Sequence, residues 1–150
     1  MIKRSKTVAV IGGGPAGLAA ALTLDNNGVN TVLFEKEEFL GGKAAAFTCK
    51  ASDRCLLCGA CMVREKIDDL VSSDVDVWTG REIMEAERDA DGFFLSIPGR
   101  EMDADGIVLA CGYENYDPSV EVEFGYCVNP DIITGYDCEQ MLREKGVLLK

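Results

Sequence analysis

A glycine cluster between an apolar run and an alanine-rich run constrains the fold of this chain more than any other feature. Residues Thr7–Ile11 are β-branched or apolar, and residues 12–21 read Gly-Gly-Gly-Pro-Ala-Gly-Leu-Ala-Ala-Ala. This order predicts a strand, a tight turn and a helix, with the pattern G-x-G-x-x-G at the junction. Such a junction suits the binding of a dinucleotide.

Three glycines of the turn have separate tasks in dinucleotide binding. Gly12 permits the sharp turn out of the strand, Gly14 leaves room for a pyrophosphate, and Gly17 lets the helix approach the sheet. The free N–H groups and the positive dipole end of the helix then face two phosphates. Pro15 fits the first helical turn, where no N–H donor is needed, and Ala16 completes the pyrophosphate cradle. An ordinary glycine-rich strand-to-helix turn is the alternative.

The residues after this turn place a second strand and an acid where a dinucleotide needs them. A helix over Pro15–Asn27 is followed by an Asn-Asn-Gly turn and by an apolar strand, Asn30–Phe34. Glu35 ends that strand, where its carboxylate would accept hydrogen bonds from the adenosine ribose and repel a 2′-phosphate. Glu35 and the adjacent Lys36 are therefore candidate cofactor-binding residues.

Composition excludes several classes of function. Apolar residues make up 47% of the 150 residues, which suffices for the core of one domain. No apolar run approaches the roughly 18–20 residues of a membrane span, and we find no signal peptide. The net charge of −11 argues against nucleic acid as a partner, and the absence of histidine removes histidine triads and histidine metal ligands. We expect a cytoplasmic protein with soluble redox partners or sibling subunits.

The seven cysteines indicate redox or metal chemistry, and four of them lie in one tract. Cys55, Cys58 and Cys61 have the C-x2-C-x2-C spacing by which a short loop binds three corners of a cubane iron–sulfur cluster. Cys49, six residues upstream, is the preferred fourth ligand, although a distant cysteine could fold back instead: Cys111, Cys127 or Cys138. The tract predicts a [4Fe–4S] cluster in a cysteine-rich insertion over residues 44–72.

Three alternatives remain open for this tract. Zinc binds C-x2-C pairs, although closed zinc sites usually use two separated pairs. A redox disulfide between Cys49 and Cys55 would suit a flavin disulfide reductase, but five residues separate them, against four in the glutathione reductase type. The cysteines could also be small buried hydrophobes, which would not explain their regular spacing.

The rest of the chain alternates between helix and strand patterns. Helices are predicted at Met62–Ser72 and Tyr136–Arg143. Strands are predicted at Asp74–Trp78, Glu82–Arg88, Phe93–Ile97, Arg100–Asp103 and Ile107–Leu109. The turn Asp-Ala-Asp-Gly joins the second and third of these strands as a β-hairpin. We expect the last strand to be buried and to complete a parallel sheet.

Glu35 followed by Gly41-Gly42-Lys43 resembles the two-dinucleotide-binding flavoproteins, in which the first Rossmann unit binds the ADP half of FAD. The resemblance implies an α/β fold, namely a Rossmann-like FAD-binding domain with a parallel sheet and a β-meander as crossover. It also implies that Gly42 lies close to the cofactor and that Lys43 faces the phosphates or the flavin. A solvated loop lysine is the alternative for Lys43.

The same resemblance assigns two later positions. A backbone contact to adenine falls on Ile83, for which core packing is the alternative. Ala110-Cys111-Gly112 stands where that family commonly has Ala-Thr-Gly, at the point where the chain leaves the FAD domain. Cys111 and Gly112 are therefore expected beside the cofactor.

A narrower resemblance covers essentially the whole chain. Residues 111–118, 124–126 and 129–134, followed by an acidic and apolar helix, resemble the flavin subunit of heterodisulfide reductase and the related flavoproteins of quinone-interacting complexes. That family couples FAD to several [4Fe–4S] clusters inside multi-subunit electron-transfer complexes. Its members are much longer, so we expect residues 1–150 to form a single FAD-binding domain that is incomplete at its C-terminus.

The main functional hypothesis is an electron-transfer flavoprotein domain. It would bind FAD and a [4Fe–4S] cluster and pass electrons to sibling subunits or to a ferredoxin-like carrier. No catalytic residue is assigned, because the cofactors supply the chemistry. One alternative is an NAD(P)H-dependent flavin disulfide reductase that uses Cys49 and Cys55. Another is a non-catalytic scaffold whose cysteines bind zinc.

Overall fold

The computed structural model describes residues 6–47 and 59–145. The strands in chain order are β1 (Thr7–Ile11), β2 (Asn30–Phe34), β3 (Asp76–Trp78), β4 (Glu85–Arg88), β5 (Phe93–Ile97), β6 (Arg100–Ala104) and β7 (Gly106–Leu109). The helices are α1 (Pro15–Asn26), α2 (Gly42–Ala45), α3 (Gly59–Val71) and α4 (Gly135–Lys145).

Four strands form a parallel sheet in the order β3-β2-β1-β7. The remaining three strands form a separate antiparallel sheet in the order β4-β5-β6. This second sheet is inserted in the chain between β3 and β7, so the crossover to the last parallel strand is a β-meander. The predicted α/β Rossmann-like fold with a meander crossover is confirmed.

Each face of the parallel sheet has its own core because successive side chains of a strand point to opposite faces. On one face, Val10 and Leu33 pack with buried residues of α1 and α3, such as Leu18 and Val63. On the other face, Ala9, Val32 and Phe34 pack with buried residues of the meander, namely Leu95, Ile97 and Ala104. The strands β1 and β2 therefore lie between a helical layer and the meander.

Two features of local sequence fix the first strand–helix–strand unit. Pro15 occupies the first position of α1, and the helix ends just before Gly28, whose φ of +72° lies in the left-handed region. The buried residues Gly17, Leu18, Ala21 and Leu22 recur at helical spacing and give α1 one face toward the sheet. The observed β1 and β2 coincide with the predicted strands.

Several predicted boundaries shift, and one expectation of burial is wrong. The strand predicted at Glu82–Arg88 begins three residues later, and the helix predicted from Met62 begins at Gly59. The short helix α2 was not predicted. Leu109 was expected to be buried but is 76% exposed, because β7 pairs only with β1 among the described strands and forms an edge of the sheet.

The chain beyond β7 runs across the surface to α4. It forms two single-turn 3-10 helices, Pro118–Val120 and Val122–Phe124. Within the described part of the chain, no helix combines the length and the apolar character that crossing a bilayer would require.

Candidate cofactor-binding site

The glycine turn after β1 is shaped by two positions where a side chain cannot fit. Gly12 has a φ of +109°, and a Cβ atom there would lie 2.3 Å from the carbonyl oxygen of Ala110. A Cβ atom on Gly17 would lie 1.7 Å from the carbonyl oxygen of Gly12. These two glycines are required for the close packing of β1, β7 and α1, as their spacing predicted.

Gly14 has the opposite surroundings. It is the N-cap of α1, provides no side-chain cap, and a Cβ atom there would meet nothing within 4 Å. Pro15 and Ala16 next to it are exposed. The first N–H groups of a helix have no partner within the helix and carry its positive dipole end. The space beside Gly14 therefore fits an anionic group such as a pyrophosphate.

Glu35 lies at the carboxyl end of β2 and is only 7% exposed. One carboxylate oxygen accepts a hydrogen bond from the Gly13 N–H at 2.7 Å, and the other accepts from the Glu37 N–H at 2.9 Å. A carboxylate has about four acceptor sites. The two bonds fix its orientation beside the glycine turn and use about half of its acceptor capacity.

A second pair of glycines lies directly against the first turn. The Gly41 N–H donates to the Gly13 carbonyl at 2.7 Å, and both Gly41 and Gly42 have positive φ, +107° and +53°. A Cβ atom on Gly42 would lie 3.2 Å from the Cα atom of Gly14. The structure thus brings Gly42 to the edge of the open space at Gly14.

The side chain of Lys43 is held against the segment that follows β7. Its ammonium donates to the backbone carbonyl of Tyr113 and lies 4.3 Å from the centre of the Tyr113 ring. Lys43 is therefore not an unconstrained loop lysine. Its contact fastens the start of α2 to the C-terminal segment. Lys36, by contrast, is exposed beside Glu35.

The end of β7 meets the end of β1. The Ala110 N–H donates to the Ile11 carbonyl at 2.8 Å, and the Cys111 thiol lies 3.7 Å from the same oxygen. Gly112 has a φ of +75°, so the chain turns there in a conformation that favours glycine. Cys111 and Gly112 thus sit next to the glycine turn.

Ile83 follows β3 in the chain and is half-buried. Its side chain packs against the core between the parallel sheet and the meander. The core-packing alternative therefore applies to its side chain, while a contact between its backbone and adenine stays a prediction.

Of the four cysteines predicted to bind metal, the structure describes one. Cys61 lies in the first turn of α3 and is exposed. Cys49, Cys55 and Cys58 lie outside the described residues. Within residues 6–47 and 59–145, no group of three or more Cys, Asp or Glu side chains is arranged to hold a metal ion.

Sequence reasoning missed two residues that shape the site. Gly13 donates to Glu35, and a Cβ atom there would lie 2.5 Å from the Leu40 side chain. Gly41 binds the Gly13 carbonyl and is the left-handed N-cap of α2. The middle position of the triple glycine and the run of alanines after Gly42 were the available signals for these features.

Comparison with known proteins agrees with this geometry. A family model described as pyridine nucleotide-disulphide oxidoreductase matches residues 6–145. The ferredoxin/F420H2-dependent CoB-CoM heterodisulfide reductase of Methanosarcina acetivorans has a subunit that is 24% identical over 224 aligned residues, covering 96% of this chain and 28% of that protein. The resemblance to the flavin subunit of heterodisulfide reductase is thereby confirmed.

Two solved structures show the same architecture. An FAD-dependent pyridine nucleotide-disulphide oxidoreductase from Desulfovibrio vulgaris has 25% identity and a TM-score of 0.54, with 73% of this chain and 25% of that chain covered. Thioredoxin reductase of Lactococcus lactis has 21% identity and a TM-score of 0.64, with 75% and 37% covered, and shows the fold alone.

This chain spans less than a third of the length of the curated relatives that it matches. The match of the family model, by contrast, extends over nearly the whole chain, including the glycine turn, the meander and α4. The chain therefore belongs to the pyridine nucleotide-disulphide oxidoreductase family, and its fold is the FAD-binding Rossmann-like domain of that family.

Proposed function

We propose that this chain binds FAD and a [4Fe–4S] cluster and passes electrons within a cytoplasmic complex that resembles heterodisulfide reductase. The observation that carries the FAD assignment is the open space at Gly14, at the N-terminus of α1 and bordered by Gly42. An anion is favoured there by the unpaired N–H groups and the helix dipole.

In this proposal the pyrophosphate of FAD lies against Gly12, Gly14, Ala16 and Gly17. The backbone N–H groups of the first helical turn would donate to its oxygens, and the missing side chain at Gly14 would allow the approach. Pro15 pre-sets the helical φ and competes for no acceptor. Gly42, which lies against Gly14, would cover the pyrophosphate from the other side.

Glu35 would bind the adenosine ribose. Its two hydrogen bonds to backbone N–H groups hold the carboxylate in place, and its remaining acceptor sites are available to the two ribose hydroxyls. The same negative charge would disfavour a 2′-phosphate. Ile83 would contact adenine through its backbone, and Lys36 would lie beside the nucleotide.

At the flavin side, Cys111 and Gly112 would border the cofactor, because they follow β7 where it meets the glycine turn. Lys43 would act from α2, where its contact with Tyr113 already fixes the side chain. When bound, FAD supplies the redox chemistry. The chain's own residues bind and orient it.

The cluster proposal rests on the cysteine spacing and on where the tract begins and ends. Cys55, Cys58 and Cys61 have the spacing typical of three cluster ligands, and Cys49 is the fourth ligand proposed. The tract connects α2, which starts at Gly42, with α3, and these two helices pack against each other. A cluster held there would lie in the same domain as the FAD site.

One experiment tests both cofactors. The chain is purified without oxygen and analysed for flavin, iron and zinc, with Cys58→Ser and Cys127→Ser as a matched pair. We expect FAD in all three proteins, about four iron atoms per chain in the wild type and in Cys127→Ser, and loss of iron in Cys58→Ser. Zinc without iron after anaerobic reconstitution would refute the cluster.

The family description supports a second candidate, an NAD(P)H-dependent flavin disulfide reductase that uses Cys49 and Cys55. This candidate predicts a disulfide within the chain that a dithiol reduces. Titration of thiols in the Cys49→Ser variant, with and without dithiothreitol, separates the two. The electron-transfer proposal predicts that dithiothreitol releases no additional pair of thiols in the wild type, whereas the disulfide reductase predicts two that the variant lacks.

A further inference from the structure

The negative charge of the chain is concentrated in one part of the sequence. The whole chain has 26 acidic and 15 basic residues. Residues 101–142 contain 10 Asp and Glu but no Lys or Arg. This stretch therefore accounts for nearly all of the net charge of −11, and the rest of the chain is almost neutral.

Within that stretch, residues 113–136 also expose large apolar side chains; we call them the acidic-apolar segment. The most exposed are Val122 at 84%, Val128 at 77% and Val120 at 70%. The others are Tyr113, Tyr116, Phe124, Ile132, Ile133 and Tyr136. The five acids of the segment are all exposed: Glu114, Asp117, Glu121, Glu123 and Asp131. Contiguous apolar exposure of this kind marks interaction sites in soluble proteins.

Local hydrogen bonds give the acidic-apolar segment a defined shape. The Asp117 carboxylate accepts from the Ser119 N–H at 2.9 Å, and the Tyr116 hydroxyl donates to Glu121 at 3.1 Å. The Asn129 N–H donates to the Gly125 carbonyl at 2.9 Å, which folds the chain back on itself. A surface that is already shaped loses less conformational entropy on binding.

The segment begins at the candidate cofactor site, because Tyr113 is the residue that Lys43 contacts. At its other end, Tyr126 donates to Asp137 of α4 at 3.0 Å, and the Gln140 amide of the same helix lies 3.5 Å from the Ala46 carbonyl. A partner on this surface would therefore lie beside the glycine turn and α2. The inference itself rests on charge and exposure and does not require a bound cofactor.

We propose that the acidic-apolar segment is the docking surface for a protein whose own surface carries lysine or arginine around an apolar centre. Charge complementarity identifies the class of partner. A second copy would bring two acidic segments together, and nucleic acids or anionic membranes would also be repelled. Apolar side chains between the carboxylates would then be buried in the centre of the interface.

A synthetic helical peptide with one leucine face and one lysine face tests this proposal as a probe. Binding to the full-length chain is followed by fluorescence anisotropy at several salt concentrations. We expect binding that weakens as salt rises. A peptide with glutamate for lysine and a peptide with serine for leucine should both bind at least about tenfold more weakly.

Matched variants locate the site. Val122→Lys is compared with Val71→Lys, since both valines are 84% exposed. Glu123→Lys, in the segment, is compared with Glu87→Lys, on the exposed strand β4. We expect the two segment variants to weaken peptide binding about tenfold and the two controls to change it by less than about twofold.

Two outcomes would overturn the proposal. Equal weakening by the segment variants and their controls would mean that the peptide responds only to net charge. Dimers that form in sedimentation experiments on the wild type and disappear in Val122→Lys would mean that a second copy covers the segment.

Discussion

At the scale of single residues, the glycines of one motif separate into two kinds by what a Cβ atom would meet. At Gly12 and Gly17 the missing side chain makes room for the protein's own backbone. At Gly14 it leaves space that no described atom within 4 Å occupies. The first kind should matter for stability and the second for binding.

Gly17→Ala tests the first kind. Its Cβ atom would overlap the backbone oxygen of Gly12, which cannot move like the end of a flexible side chain. We expect a loss of unfolding free energy of at least about 2 kcal/mol. Gly14→Ala, in the same turn, should change it by less than about 0.5 kcal/mol. Urea unfolding of both variants measures the difference, and equal stabilities would contradict this explanation.

Glu35→Gln tests whether the buried carboxylate stabilises the turn. The side chain keeps its shape, but its amide nitrogen cannot accept one of the two N–H groups that now donate to the carboxylate. We expect a loss of about 1–3 kcal/mol in the absence of cofactor. Glu87→Gln on β4 removes the same charge from an exposed position and should have no such effect in the same urea titration.

At the scale of elements, the meander is part of the core. Leu95 on β5 is fully buried between the meander and the parallel sheet. Leu95→Ala should lower the unfolding free energy by about 2–5 kcal/mol. Leu109→Ala, which removes the same atoms from a residue that is 76% exposed on β7, should cost little. A small effect of Leu95→Ala would show that the meander does not pack on the sheet.

Helix α4 has a capping arrangement that depends on pH. The hydroxyl and the N–H of Thr134 both donate to the Asp137 carboxylate, at 2.7 and 2.9 Å, and hold the pKa of that carboxyl below its ordinary value. Because the folded pKa is lowered, this stabilisation is fully present above the ordinary pKa of about 3.9. It is lost as the pH falls through the folded value.

The Thr134 amide resonance reports this titration in an NMR experiment. We expect a midpoint below about 3.9, and no such transition in Asp137→Asn. Asp131→Asn removes an exposed carboxylate nearby and serves as the control. A midpoint at or above the ordinary value in the wild type would contradict the capping arrangement.

The elements also show what local sequence can predict. The strands β2 and β5 have their predicted bounds, because their apolar runs end at turn residues on both sides. The helix α2 escaped prediction because a four-residue helix is stabilised by tertiary contacts, here the bond between Gly41 and Gly13. The exposure of Leu109 depends on which strand lies next to β7, and no local pattern contains that information.

At the scale of the whole molecule, the glycine turn and Glu35 could be identified from sequence because motif spacing determines their place in the fold. The contacts of Lys43 with Tyr113 could not, because these residues are 70 positions apart in the sequence. Cysteine spacing predicts the type of cluster. It does not place Cys61 relative to the flavin.

The whole molecule thus combines two surfaces with different tasks. The glycine turn, Glu35 and Gly42 form one open site at the carboxyl ends of β1 and β2, where α/β sheets bind their ligands. The acidic-apolar segment begins next to it at Tyr113. An electron-transfer domain needs both a cofactor and access for a partner, and this arrangement would provide them side by side.

The central claim is that the space at Gly14 holds the pyrophosphate of FAD, and the affinity of FAD for the Gly14→Ala variant tests it most directly. Fluorescence titration compares the variant with the wild type after both have been shown to unfold at the same urea concentration. We expect the wild type to bind FAD and the variant to bind it at least about tenfold more weakly, because the added methyl group occupies the space of the phosphates. Equal affinities, or a folded wild type that does not bind FAD, would contradict the claim.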